Sequence, residues 1–307
     1  MALDAAGAVD HRRVRDLPDL LEPGDLLVVN DTKVLPARLH LRKATGGMAE
    51  VLLLEPVGGG EWEALVRPGR RLAPGTKLTA DEPGDHPLTV EVGERLADGR
   101  RRVRLLADDG DELATLDSHG EVPLPPYITK ALDDPGRYQT VYAAHPGSVA
   151  APTAGLHLTG SVLDACRARG IEIAAVQLDV GLDTFRPITA DRPEGHRMHS
   201  ERYGVPKATL DACARAGRVV AVGTTTVRAL ESAALGRPVG RTDLFIHGEF
   251  EFQVVDVLLT NFHLPRSSLL LLLDAFAGSR WRDLYATALT DGYRFLSFGD
   301  AMIVARK

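Results

Sequence analysis

The sequence predicts an α/β protein, a mixed sheet domain with helices, interrupted by a small antiparallel β-barrel domain. Three observations carry this. Beyond residue 123, apolar strand-like runs alternate with stretches of helical periodicity. Before it, the runs 50–56 (EVLLLEP), 62–67, 76–80, 87–96 and 101–108 follow one another with Gly, Pro and Asp turns between them, which is the spacing of a barrel or sandwich. A proline-punctuated connector over 121–127 separates the two textures. Because the run DLLVV at 25–29 already reads as a strand, the β block is expected as an insertion. The division is a discontinuous α/β domain, 1–38 and 123–307, around a barrel domain, 39–122.

The elements follow in order. Residues 160–169 carry Val162, Leu163 and Cys166 at helical spacing, with Gly170 as the stop. A strand is expected over 171–180, a helix over 207–216, a strand over 218–223, and a helix in TTTVRALESAA. The apolar stretch 254–259 precedes two helices, 267–277 and 281–291, and a last strand falls near 295–304. Such alternation predicts a mostly parallel sheet covered by helices.

Bulk properties narrow the function classes. The 307 residues suffice for a sizeable core, and the net charge of −6 argues against a surface that grips nucleic acid all over. Cys166 and Cys213 stand alone in separate helical stretches, which suits buried thiols in a reducing compartment rather than a disulfide or metal site. The start lacks the pattern of a signal peptide, and the run SSLLLLLDAFAG is too short to span a bilayer. A cytoplasmic location without membrane contact is expected.

Several loops carry candidate chemistry. VAAPTAGLHLT (149–159) is rich in small residues that let backbone approach a ligand, with Thr153, His157 and Thr159 as its reactive side chains. VVAVGTTTVRALES sets Gly223, Thr224 and Thr225 at a strand-to-helix turn, with Arg228 one turn in, a place suited to an anion. Plain threonine capping is the competing account. RMHSERYGVP offers His199, Glu201 and Tyr203, and no cysteine pair accompanies the His-x-Glu, so no metal is expected. TNFHLPRSS puts Asn261, Phe262 and His263 at a strand end, where open α/β sheets bind ligands. Arg70, Arg71, Arg100, Arg101 and Arg102 give the β block a local positive density that can face RNA phosphates, or simply a solvated strand face.

These segments, taken in order with PGDLLVVNDTKVLPARL, GEVPLPPYI, YQTVYA and YRFLSFGDAM, resemble the S-adenosylmethionine:tRNA ribosyltransferase-isomerases of queuosine biosynthesis. The resemblance runs from residue 23 to residue 302. It implies an α/β domain interrupted by a β-barrel and an enzyme that uses S-adenosylmethionine as co-substrate, with no separate cofactor. It also implies transfer of the ribosyl part onto 7-aminomethyl-7-deazaguanine at the tRNA wobble position, forming epoxyqueuosine and releasing adenine and methionine. A monomer or weak oligomer is expected. In that reaction a base or proton shuttle falls to His157, His199 or His263, with Glu201 as a further acid–base group. Carboxylate anchoring falls to the 223–226 turn with Arg228, and contact with the sulfonium to Phe185, Tyr203 or Phe262.

The chain departs from the family pattern at Asp179 (usually His), Asp183 (usually Gly), Gly248-Glu249 (usually Pro-Gly) and Asp274 (usually Ser), and family members carry a further N-terminal segment. The added acids have no evident basic partner in the sequence and weaken approach to a polyanion. Two other outcomes therefore stand beside the first: a paralogue that transfers to a small deazapurine or merely cleaves S-adenosylmethionine, and a catalytically silent RNA-binding module.

Overall fold

The computed structural model describes residues 1–3, 9–80, 87–107, 111–130, 132–181, 184, 187–190 and 192–307. The chain forms two compact units: Met1–Lys33 with Gly136–His145 and Ala151–Lys307, and Val34–Pro135 with Pro146–Ala150.

The larger unit is built on a nine-stranded mixed sheet. Its strand order is Val239–Thr242, Glu201–Gly204, Glu172–Leu178, Asp25–Asn30, Arg218–Val222, Val257–Asn261, Ala301–Ala305, Ala2–Leu3 and Val9–Asp10. The four strands from Glu172–Leu178 to Val257–Asn261 are mutually parallel. Their runs DLLVVN, RVVAV and VLLTN are buried almost throughout, as expected of strands covered on both faces. Leu27, Val29, Val220, Val222 and Leu259 meet Leu158, Leu163 and Cys166 of the helical layer in one core.

Helix Thr224–Ala234 has ten consecutive buried residues. A helix with no solvent face must satisfy its polar side chains internally. Glu231 accepts from the backbone N–H groups of Gln253, Val254 and Val255 at 2.8–3.1 Å, and the Ser232 and Thr242 hydroxyls meet at 2.6 Å.

The smaller unit is a closed barrel of six antiparallel strands, Arg38–Lys43, Met48–Gly58, Glu61–Arg67, Arg100–Ala107, Leu88–Arg95 and Thr76–Ala80, the last pairing back to the first. All five strands expected inside the β block are present, and a sixth, Arg38–Lys43, completes the ring.

The mixed sheet, its helices and the inserted barrel match the expected fold class, but the sheet is not mostly parallel: its four central strands are, while most of the outer pairings are antiparallel. Strands Glu201–Gly204 and Val239–Thr242 were not expected. They are four residues each and pair antiparallel at the sheet edge, too short to show a period. The apolar run expected as a strand at 254–259 forms one at Val257–Asn261, because Glu231 has already captured the N–H groups of Val254 and Val255.

Candidate active site

The strand order reverses at Asp25–Asn30, which has Glu172–Leu178 on one side and Arg218–Val222 on the other. Such a switch point opens the crevice where α/β sheets take ligands, at the carboxyl ends of the strands. Asn30 stitches that edge together. Its Nδ2 donates to Leu178 O at 2.9 Å, and its Oδ1 accepts from Leu178 N at 3.1 Å and from Thr32 Oγ1 at 2.7 Å.

This fixes the next residue, Asp31. Its backbone N–H donates to Val176 O at 3.0 Å, and its carbonyl accepts from Ala144 N and His145 N. Its Oδ2 meets His145 Nδ1 at 3.0 Å. Its Oδ1 is buried without a hydrogen-bond partner. Burial pushes the Asp31 carboxyl upward in pKa, and His145 opposes that.

On the neighbouring strand, Val222 runs into Gly223, whose φ of +88° begins helix Thr224–Ala234. A side chain there is strained by that φ and would bring its Cβ to 3.4 Å from Ala154 Cβ. Thr226 Oγ1 donates back to Val222 O at 2.7 Å. Thr225 Oγ1 is buried and unpartnered.

The short helix Thr153–His157 approaches Gly223 through Ala154 and packs against Thr140 and Tyr142 through Gly155. Gly155 is a glycine because a Cβ there would lie 1.9 Å from Tyr142 Oη. Tyr142 Oη and Thr140 Oγ1 are themselves buried with no partner, and burial, then the nearby Asp31 charge, drives the tyrosine pKa upward. Four oxygens, on Asp31, Thr140, Tyr142 and Thr225, are thus buried without a partner among the described residues, on segments that approach Ala154 and Gly155 or the strands beside them. Each unmade hydrogen bond of this kind costs on the order of 1–3 kcal/mol, so such a group is a feature that binding can repay.

At the same edge Asn261 Nδ2 donates to Thr153 Oγ1 at 2.8 Å, and Asn261 Oδ1 faces His157 Nε2 at 2.6 Å. The first bond orients the amide, so its oxygen needs a donor and the His157 proton resides on Nε2. Nδ1 is left as the basic nitrogen. Burial lowers the His157 pKa, only partly offset by the Asn261 bond and Asp300, so the imidazole is a neutral base at physiological pH.

The remaining expected residues are placed as follows. Glu201 and Arg228 form a buried ion pair. Glu201 also accepts from Gly181 N and Thr184 Oγ1, each at 3.0 Å, while Arg228 donates to Leu244 O and Thr242 O. Arg228 is therefore already committed to an internal carboxylate; the pair holds the loop after Glu172–Leu178 against the buried helix. His263 is sealed: its Nε2 meets Thr260 Oγ1 at 3.0 Å, and burial takes its pKa to about 4. Phe262 packs with Tyr285, Tyr293 and Phe295 in a closed aromatic cluster. Tyr203 is buried and donates to Arg237 O at 2.5 Å. Thr159 is exposed and caps helix Gly160–Ala168 through Val162 N, and Thr224 is buried at the first turn of its helix. Phe185 and Asp183 lie outside the described residues.

His199 lies half-buried beside His196, whose pKa falls through burial and through His199. The His196 ring stands 5.3 Å from Phe245, which stands 4.5 Å from His247. This half-exposed aromatic group follows Leu244, the residue whose carbonyl Arg228 holds. It offers a cation the ring faces that buried Phe262 and Tyr203 do not.

Among the described residues no cluster of three or more His, Cys, Asp or Glu is placed to hold a metal. No described helix is long and apolar enough to cross a membrane.

The acids expected to lack partners are in part corrected. Asp274 pairs with Arg282 at 3.2 Å and accepts from Trp281 Nε1 at 2.5 Å, because helix Arg280–Thr290 follows close behind its own helix. Asp179 is half-buried, its N–H donating to Arg202 O at 2.9 Å. In the barrel, Arg101 is buried and donates to the carbonyls of Gly69, Leu72 and Gly93; it clasps a loop and cannot reach a phosphate. Arg100 pairs with Glu63 at 3.2 Å. Arg102 is half-buried and Arg71 exposed, while the Arg70 side chain lies outside the described set.

Reading the residues missed Asp31, Thr140, Tyr142, His145, His196, Phe245 and His247 as site groups. The signal was thin: VVNDT and YQTVYA are short polar interruptions, marked only by buried-looking neighbours.

Comparison with known proteins shows the family. The profile of a family described as queuosine biosynthesis protein matches residues 1–304. A Thermus thermophilus protein named S-adenosylmethionine:tRNA ribosyltransferase-isomerase is 52% identical over 307 residues, covering 96% of this chain and 88% of its own length. A Moorella thermoacetica protein of the same name is 50% identical, covering 97% and 90%. The crystal structure of a Thermotoga maritima S-adenosylmethionine tRNA ribosyltransferase superposes with a TM-score of 0.54 at 37% identity, over 99% of this chain and 91% of that one.

Proposed function

The chain belongs to the queuosine biosynthesis protein family and is an enzyme of its ribosyltransferase-isomerase type, and we propose that it moves the ribosyl group of S-adenosylmethionine onto 7-aminomethyl-7-deazaguanine in tRNA. The product is epoxyqueuosine, with adenine and methionine released. The observation that carries this reading is the oriented neutral base His157, fixed by Asn261 and Thr153 at the strand ends beside unsatisfied oxygens.

A sulfonium acidifies the C–H bonds next to it, so a neutral imidazole can take the 5′ proton. The electron pair left on C5′ forms a C4′–C5′ double bond as the C4′–O4′ bond breaks, and the O4′ lone pair forms a carbonyl at C1′ as adenine departs with the proton that His157 took. The acceptor amine adds to C4′ and loses a proton, the C5′ carbanion this creates closes on the C1′ carbonyl, and the resulting alkoxide displaces methionine from C5′ to give the epoxide. Phe245 and the histidines beside it supply ring faces for the cationic sulfur before it leaves as methionine. Glu201 and Arg228 act through position, holding Gly181, Thr184 and Leu244 at the rim.

The assay is adenine release from S-adenosylmethionine with tRNA bearing the aminomethyl-deazaguanine. Release that requires that tRNA, and that falls by at least about 100-fold in His157→Ala, supports the reading. Release with a free deazapurine or with no acceptor identifies the diverged paralogue, and tRNA retention without turnover identifies a silent binder.

A further inference from the structure

We propose that Asp31, Thr140, Tyr142 and Thr225 form a subsite for a vicinal diol, the 2′- and 3′-hydroxyls of the ribosyl group. This rests on the ribosyl-transfer reading and adds the group that is recognised and the side chains that do it.

Among the described residues the four oxygens have no hydrogen-bond partner, and Asp31, Thr140 and Thr225 are at most 9% exposed. Their residues are linked through the Ala154–Gly155 segment and the paired strands. Asp31 and Tyr142 are close enough to interact electrostatically. Tyr142 Oη and Thr140 Cγ2 both press on Gly155, at 1.9 and 3.0 Å from where its Cβ would stand. Ala154, the preceding residue, places its Cβ 3.4 Å from the Cβ position of Gly223, and Thr225 Oγ1 lies 3.6 Å from that same position. Strands Asp25–Asn30 and Arg218–Val222 pair in register, Val28 opposite Ala221, so Asp31 and the helix start leave the sheet side by side.

The donor set selects the ligand. A carboxylate oxygen accepts, whereas each of the three hydroxyls both donates and accepts. A ligand ammonium has donors only and would leave three O–H groups without an acceptor. A diol supplies donors to Asp31 Oδ1 and acceptors to the hydroxyls. His145 on Asp31 Oδ2 holds the carboxyl in one orientation, leaving Oδ1 as the free acceptor.

An unsatisfied buried hydroxyl gives a signature that a merely structural tyrosine would not. Tyr142→Phe removes a polar atom that the ligand-free fold leaves unpaired, so the melting temperature of the free protein rises by about 2 °C. The same change weakens S-adenosylmethionine about tenfold. Binding is measured by calorimetry for wild type, Tyr142→Phe and Asp31→Asn, with S-adenosylmethionine, its 2′-deoxy and 3′-deoxy analogues, an analogue lacking the methionine amino group, and adenosine. Wild type loses about tenfold for each missing hydroxyl, and each variant becomes indifferent to at least one of them.

Equal hydroxyl discrimination in wild type and both variants overturns the subsite. So does an Asp31→Asn protein that loses discrimination only against the desamino analogue, which would make Asp31 an ammonium site. Wild type that binds adenosine through its diol but not S-adenosylmethionine keeps the subsite and refutes the ribosyl-transfer reading. Binding of neither refutes the subsite.

Discussion

His263 provides a test of the buried architecture by acid. Its imidazole is buried, with Thr260 Oγ1 at Nε2, and the Tyr285 hydroxyl accepts from the His263 backbone N–H. Burial lowers its pKa from 6.5 to about 4, so the unfolded chain binds the proton more readily than the folded one. The stability that the neutral ring contributes is complete above about pH 6.5 and is lost as pH falls toward 4. At ~1.4 kcal/mol per pH unit, the loss reaches roughly 3 kcal/mol at pH 4, with about 2 kcal/mol gone by pH 5. His263→Gln keeps a side chain that can meet Thr260 and cannot titrate. The measurement is urea unfolding from pH 7 to pH 5 in a Trp62→Phe background, so that Trp281, whose ring lies 5.1 Å from Tyr285, reports this unit alone. The variant has a stability profile flatter by about 2 kcal/mol over that range. Parallel profiles would show that the ring is hydrated or charged in the fold, and His263 would return as a candidate base.

Other expectations follow from single contacts. Arg228→Met leaves Glu201 buried without its cation and costs about 3–5 kcal/mol in urea unfolding, while Arg228→Met with Glu201→Met recovers most of it. Gly155→Ala drives a Cβ into Tyr142 Oη and costs about 1–3 kcal/mol; adding Tyr142→Phe relieves the larger part, a coupling read by a double-mutant cycle. Arg101→Met takes the donors from three barrel carbonyls and lowers barrel stability by about 1–3 kcal/mol, yet the salt dependence of tRNA binding keeps its slope, whereas loss of a phosphate contact would reduce it by about 1. Because burial lowers the His157 pKa, the acid limb of kcat/KM for adenine release falls below pH 6.5 and moves upward in variants that open the site to water.

What the linear order of residues determined was whatever repeats along it. Continuous apolar runs announced the parallel strands, short runs with turns between them announced the barrel, and VGTTTVRALES announced the helix at the switch point. His157, Asn261 and Thr153 were also legible as candidates, since Asn261 ends a strand and Thr153 and His157 bound a short helix rich in small residues. Their division of labour was not. That Nδ1 of His157 is the basic nitrogen depends on an amide 104 residues away, and that Arg228 is committed to Glu201 depends on a strand too short to show a period. His263 looked equivalent to His157 because a residue type and its neighbours say nothing of solvent access. Asp31 and Tyr142 were overlooked for the complementary reason. A polar side chain in a loop is ordinary until the fold encloses it, and only tertiary packing decides which oxygens lose water and find nothing in exchange.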